Sequence, residues 1–263
     1  MEISSDAPER DGGARRSIRI ATAGDIHCGR QAACEHLRSA VEDVAQRVDC
    51  FLLAGDLTTH GEPEQGQILA QAFAEVDVPI LTVLGNHDWH VDRRDELVAV
   101  LEGAGLTVLE GDHRIIDVRG VELGVVGAKG FVGGFPGSHL PDFGEPLLRE
   151  VYAESIREAQ GIEAGLRAVA ACPLRIVLLH YAPCTDTLVG EPEPIWTFLG
   201  TDRLAGPIIE HEPDLVLHGH AHAGTFEGRV GQIPVFNVSV PVLGKDFWEL
   251  ELTVAERAAS AIH

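Results

Sequence analysis

The sequence predicts a mixed α/β fold in which helices cover the outside of packed sheets. Three observations carry this reading. Short apolar runs, four to seven residues long, end repeatedly in Gly, Asp or His. Stretches with apolar residues at helical spacing lie between them. The middle and the C-terminal part instead read as β-rich runs joined by turns, so strand–helix alternation gives way to hairpins.

Residues 17–23 are the first expected strand and close on Gly24-Asp25. A helix is expected over 31–48, and 49–54 form a strand closing on Gly55-Asp56. Helical spacing resumes over 64–76, a strand over 79–84 closes on Gly85-Asn86-His87-Asp88, and 93–102 is helical again. Such continuous apolar runs suit strands buried on both faces. Residues 106–109, 113–118 and 121–126 are β-rich, with Arg119-Gly120 as a turn. The longest helix is expected over 146–171, weakened by Gly161 and Gly165. Residues 174–179 close on His180, 201–211 suit a shorter helix, and 214–217 close on His218-Gly219-His220. Residues 223–228, 233–240 and 246–254 read as antiparallel strands joined by turns at 229–232 and 241–245.

A length of 263 residues suits a single α/β domain over 17–263 behind a polar, disordered N-terminal tail over 1–16. The tail lacks the apolar core of a signal peptide, and no segment is apolar enough to span a bilayer. A hydrophobic fraction of 45% supplies a full core, and an aromatic fraction of 5% leaves that core to Val, Leu, Ile and Ala. The formal net charge of −21 repels nucleic acid and anionic lipid. Five cysteines, an odd number without a C-x-x-C pair, argue against a disulfide scaffold or a Cys-ligated zinc and for a reducing cytoplasm. Cys28, directly after His27, reads as a buried inert thiol.

Five expected strands end on side chains of the metal-ligand type. Open α/β sheets bind ligands beyond the carboxyl ends of their strands. The five ends would therefore gather Asp25, His27, Asp56, Asn86, His87, His180, His220 and His222 in one crevice. Each piece alone has an ordinary reading as turn chemistry or a core histidine. Their ordered recurrence at strand ends does not. Asp25-x-His27 can turn two side chains to one ion, and the two oxygens of Asp56 can bridge two ions. Asn86 offers an amide oxygen, and His180, His220 and His222 offer imidazole nitrogen. This mixed set without thiolate favours Mn(II), Fe or Zn(II) over soft metals and is too rich in nitrogen for Ca(II) or Mg(II). Seven ligands sharing one carboxylate suffice for two ions about 3.5–4 Å apart.

The ordered set Asp-x-His, Gly-Asp, Gly-Asn-His-Asp, His and Gly-His-x-His, spread over residues 18–240, resembles the calcineurin-like metallophosphoesterases. The resemblance implies a four-layer αββα sandwich, with two mixed sheets packed together and helices on both outer faces. It implies one divalent ion held by Asp25, His27, Asp56 and His222, and a second by Asp56, Asn86, His180 and His220. His87 would be the catalytic histidine that binds no metal, oriented by Asp88. Leu57-Thr58-Thr59 offers no tyrosine where purple acid phosphatases carry one, and the C-terminal domain of the related DNA-repair nucleases is not expected. The small bacterial or archaeal type fits best.

The chemistry expected is hydrolysis of a small-molecule phosphomonoester or phosphodiester. A metal-bridging hydroxide would attack, and His87 would protonate the leaving oxygen or stabilise phosphoryl charge. The alternatives are a nuclease on polynucleotide, disfavoured by the net charge, and a non-catalytic metal-binding scaffold, which would be expected to have lost ligands. The Gly-rich stretch 130–137 has two readings. As a flap, Lys129, Phe131 and Phe135 would contact the substrate; as a connector, both phenylalanines would tuck onto the core. His60, His90 and His218 read as exposed or supporting. No membrane partner is expected, and homo-oligomerisation is left open.

Overall fold

Two mixed sheets face each other across an apolar interior in the computed structural model, which describes residues 16–29 and 31–254. Apart from Arg16, the expected tail lies outside the described residues. The first sheet contains β1 (Ser17–Ala23), β2 (Cys50–Ala54), β3 (Ile80–Val83), β4 (Leu106–Val108) and β11 (Trp248–Thr253), in the order β11-β1-β2-β3-β4. The second contains β5 (Asp112–Val118), β6 (Val121–Ala128), β7 (Leu174–Leu179), β8 (Leu215–His218), β9 (Glu227–Val230) and β10 (Ile233–Asn237), in the order β5-β6-β7-β8-β10-β9. The central strands are parallel within each sheet, and β11, β5 and β9 are antiparallel edges.

The uninterrupted apolar runs follow from burial on both faces. On β2, Cys50, Leu52 and Ala54 join the cluster between the sheets, while Phe51 and Leu53 face the outer cluster. The helices α1 (Gln31–Ala45), α2 (Pro63–Ala72) and α3 (Arg94–Gly103) cover that outer face with Leu37, Leu69, Leu97 and Leu101. On the opposite side, α4 (Pro146–Ala168) brings Ile162 and Leu166 onto Val126, Val177 and Val216. In chain order two helical turns, α5 (Trp196–Leu199) and α7 (Val240–Leu243), lie before and after α6 (Ala205–His211), whose Ile208 joins the same layer as α4. The result is the expected four-layer sandwich. No helix among the described residues is long and apolar enough to cross a membrane.

The C-terminal third departs from expectation. The expected strand 223–228 sits later, as β9, and the chain past Ser239 turns into α7 instead of staying extended. β10 forms the expected hairpin with β9 but runs parallel to β8. β11 leaves that neighbourhood and pairs antiparallel with β1 in the other sheet. Its alternation of Trp248, Leu250 and Leu252 with Glu249 and Glu251 marks a half-buried edge strand. Alternation does not say which sheet owns the edge.

The thiol expectation also needs correction. Cys28 and Cys34 form a disulfide, while Cys50, Cys172 and Cys184 are free. The turn after β1 folds back onto α1 and brings together two cysteines six positions apart. With that pair formed, cysteine usage no longer favours a reducing compartment.

Candidate metal centre

The carboxyl ends of β1, β2, β3, β7 and β8 converge at one edge of the sandwich. Asp25, His27 and Asp56 have φ of 59°, 49° and 49°, and His220 has 71°. A left-handed backbone is costly for residues with a Cβ and clusters at functional sites. Glycines let the turns close. A Cβ on Gly85 would land on the Asp56 carboxylate, and one on Gly219 would land on that of Asp25.

Backbone pairing stitches the two sheets together here. The N–H of Gly24 donates to Val238 (2.8 Å), and that of His220 donates to the Asp25 carboxylate (2.8 Å). His180 bonds through Nδ1 to the Ala54 carbonyl (2.9 Å). A carbonyl can only accept, so Nδ1 donates, and Nε2 is the nitrogen that faces the site. That nitrogen faces Asn86 Oδ1 at 2.9 Å and Asp56 Oδ1 at 3.4 Å. Two oxygen acceptors therefore converge on one imidazole nitrogen, an arrangement that suits a cation among them. His220 is likewise tied through Nε2 to the Phe198 carbonyl (3.1 Å), leaving Nδ1 free.

Ligand atoms of Asp25, His27 and His222 lie within 4.8 Å of one another, as do those of Asp56, His180 and His220, and those of His27, Asp56 and His87. Asp56 thus belongs to two overlapping groups. Asp25 and Asp56 are 3% and 1% exposed, and among the described residues their ion-pair partners are all histidines. Buried carboxylates normally need a compensating charge.

Burial pushes the Asp56 carboxyl up, against the pull of His180, and the neighbouring Asp25 raises it further. Burial opposes charge on Asp25 too, but the His222 hydrogen bond and His180 outweigh it and hold that carboxyl below the usual range. Burial drives His220 down to about 3, and it also lowers His27. Both rings are then neutral and offer lone pairs. His222 is raised by its hydrogen bond to Asp25 (2.8 Å), so a proton there does what a cation would do. The donor set fits divalent metal ions.

His87 stands at the mouth. Its Nδ1 bonds the Thr59 carbonyl (2.8 Å), which aims Nε2 at the site, 3.9 Å from Asp56 Oδ2. Its ring lies 4.6 Å from that of His27. Asp88 does not orient it, contrary to expectation. The fully buried Asp88 carboxylate accepts from the N–H groups of Leu57, Thr58 and Gly85 and from the Thr58 hydroxyl. It ties two turns together and turns away from the imidazole.

The Gly-rich stretch divides the remaining expectations. Phe135 is 3% exposed and packs on Ala182, Leu188, Leu199 and Ala221, so its expected substrate contact is withdrawn. The loop is pinned by Gly133 N–H to Thr197 (3.1 Å) and Gly134 N–H to Gly200 (2.9 Å). Phe131 is half-buried and stands 6.1 Å from Tyr181. The Lys129 amine is 3.6 Å from Glu158 and 4.3 Å from the Phe131 ring centroid, and burial lowers its pKa. His218 is buried, bonding Thr187 (2.9 Å), while His60 and His90 are exposed. Sequence reasoning passed over Tyr181, whose ring lies 4.4 Å from His220 and 5.5 Å from His180, and Trp89. Their signal was position, directly after His180 and directly after Asp88.

The profile of the calcineurin-like phosphoesterase family matches residues 18–224. No curated protein matches the chain significantly. Among solved structures, the protein TT1561 of Thermus thermophilus is 19% identical with a TM-score of 0.58, covering 91% of this chain and 100% of that one. A phosphopantetheinyl hydrolase of Mycobacterium tuberculosis is 16% identical with a TM-score of 0.56, covering 93% and 98%. A putative 5'-nucleotidase of Staphylococcus aureus is 14% identical with a TM-score of 0.56, covering 94% of this chain and 56% of that one. At such identities these likenesses carry the fold alone.

Proposed function

From the premise that the chain belongs to the calcineurin-like phosphoesterase family, we propose that it hydrolyses a phosphoester of a small molecule using two divalent metal ions. One ion is assigned to Asp25, His27, Asp56 and His222, the other to Asp56, Asn86, His180 and His220. The observation that carries this reading is the pair of buried carboxylates surrounded by histidine nitrogens, with Asp56 grouped both with His180 and His220 and with His27. The mixed oxygen and nitrogen set favours Mn(II), Fe or Zn(II).

Bound ions would make water nucleophilic at neutral pH and draw charge from the phosphoryl oxygens. The chain's residues supply the rest. Asp25 and Asp56 hold negative charge where cations collect. His180 and His220 are locked in orientation by backbone carbonyls. His87, with Nδ1 fixed on Thr59, keeps Nε2 available to protonate the leaving oxygen. The net charge of −21 favours a small substrate over polynucleotide.

A Mn(II) assay panel tests the proposal: p-nitrophenyl phosphate, bis-p-nitrophenyl phosphate, cyclic nucleotides and single-stranded DNA. Metal-dependent hydrolysis of the small esters is expected. Turnover confined to DNA would support the nuclease reading, and no turnover with both metal sites filled would support the scaffold.

A further inference from the structure

A cavity of 840 Å³ adjoins the turn that carries Asn86 and His87, within the range of about 300–1,000 Å³ common for small-molecule sites. One wall continues the metal-binding turn, since Leu84 precedes Gly85-Asn86 and Trp89 follows Asp88. The facing wall holds Lys129, whose carbonyl accepts the N–H groups of His180 and Tyr181 (both 3.0 Å). The Lys129 ammonium lies 5.6 Å from the Tyr181 ring centroid and 5.9 Å from that of Trp89. A row of side chains thus leads from His180 and His220 through the buried Tyr181 and the Lys129 ammonium to Trp89. An ester whose phosphate sits at the metals would extend its leaving group along this row.

The lining carries six carboxylates and four basic groups. The basic groups are all engaged: Lys129 with Glu158, Arg93 with Glu96, Arg94 with Glu110 and Arg157 with Glu154. An anionic leaving group meets no free base and a surplus of acid. A cationic one gains from that surplus of acid but finds the aromatic face of Trp89 already flanked by Arg94 and Lys129, each 5.9 Å from its centroid. A hydrocarbon would strip water from these polar groups and give them no hydrogen bond in return. A hydroxyl both donates and accepts, so a run of hydroxyls can serve carboxylate and guanidinium alike. Trp89 is 41% exposed and offers a flat apolar face for a ring's C–H groups.

We propose that this cavity binds the leaving group of the ester, and that the leaving group is neutral and polyhydroxylated, a sugar or a polyol. The proposal rests on the phosphoesterase reading, so its test has a kinetic arm and a binding arm. The kinetic arm compares propyl phosphate, glycerol 3-phosphate and glucose 6-phosphate, all primary alkyl esters, in the Mn(II)-loaded protein and in Trp89→Ala and Arg94→Ala. Both side chains are partly exposed, and metal content is measured for each variant. The expected kcat/KM rises in that order, by about tenfold overall, and each variant loses most of the preference. Equal rates across the three esters, or a preference kept in both variants, overturns the proposal. The binding arm uses saturation-transfer NMR with free glucose and sorbitol, and with adenine and choline for comparison. Transfer to the polyols that disappears in Trp89→Ala supports the cavity assignment even without turnover, in which case the phosphoesterase reading alone fails. Stronger transfer to adenine or choline overturns the polyol assignment, as does transfer to none of the four.

Discussion

The five-stranded sheet offers the candidate metal centre its oxygen, and the six-stranded sheet offers it nitrogen alone. Asp25, Asp56 and Asn86 come from the ends of β1, β2 and β3, with His27 and His87 beside them. The ends of β7 and β8 supply His180, His220 and His222. The turns are braced in the same spirit. On the oxygen side, the buried Asp88 carboxylate ties Leu57 and Thr58 to Gly85. On the nitrogen side a buried brace is a neutral amide: that of Asn237 donates to the Ala221 carbonyl (2.7 Å), and its oxygen accepts the Ser239 N–H (3.2 Å). The carboxylates of the candidate centre are therefore concentrated on one sheet, and the other contributes imidazole nitrogens.

The sharpest way to break this comparison is to remove one donor from each side. Asp56→Asn should lose both ions and bring activity to background, because Asp56 alone belongs to both proposed sites. His220→Ala should lose one ion and keep the other. Metal analysis of the purified variants reads the stoichiometry directly, and equal losses in the two would erase the distinction between the sheets. Next in size is His87→Ala, which removes a group on the oxygen side that is not proposed to bind metal. It should keep both ions and lose about 10²–10⁴ in rate. The loss should be larger for alkyl than for aryl esters, whose leaving groups need less protonation. Equal losses on both would move His87 from proton donor to phosphate contact.

Much of this centre was legible because short buried strands leave little doubt about where they stop. Asp25, Asp56, Asn86, His180 and His220 each follow such a run, and the structure gathers all five at one edge. Helices outside packed sheets were legible for a related reason: runs apolar on both faces require cover on both sides. Pairing was less so. β11 displays one apolar face, a pattern that would suit the edge of either sheet. The role of Asp88 was hidden because neighbours in a tight turn point apart, and only the fold shows which one faces the cleft. Glycine content made 130–137 look mobile, yet its glycines permit close backbone approach to Thr197 and Gly200. The Cys28–Cys34 pair depends on how one turn meets one helix, which no local pattern encodes.

The braces offer a comparison independent of catalysis. Asp88→Ala strands four buried donors at once, at about 1–3 kcal/mol for each one left unsatisfied, and should be the costlier change. Asn237→Ala strands one carbonyl and one N–H and should cost about 1–3 kcal/mol. Urea unfolding of the metal-free proteins measures both without interference from ion binding. If Asn237→Ala proves the costlier change, the charged brace is not what distinguishes the two sides.

The smallest effect concerns the disulfide, which lies only on the oxygen side. It closes a short loop, with its cysteines six positions apart, so the chain-entropy contribution should be about 2 kcal/mol. The adjoining backbone has its own supports. His27 N–H donates to Asp56 (3.0 Å), Cys28 N–H to Leu57 (2.9 Å) and the Thr59 hydroxyl to the His27 carbonyl (2.8 Å). These bonds should hold His27 in place when the sulfur bridge is absent. Cys34→Ala should therefore unfold at a lower temperature than the oxidised parent, respond little to reductant, and bind both ions at full stoichiometry. Thermal unfolding with and without reductant, alongside metal analysis, separates the possibilities. A variant that unfolds normally but loses the ion assigned to Asp25 and His27 would make the disulfide part of the metal centre's own support. The oxygen side would then depend on a covalent brace as well as a charged one.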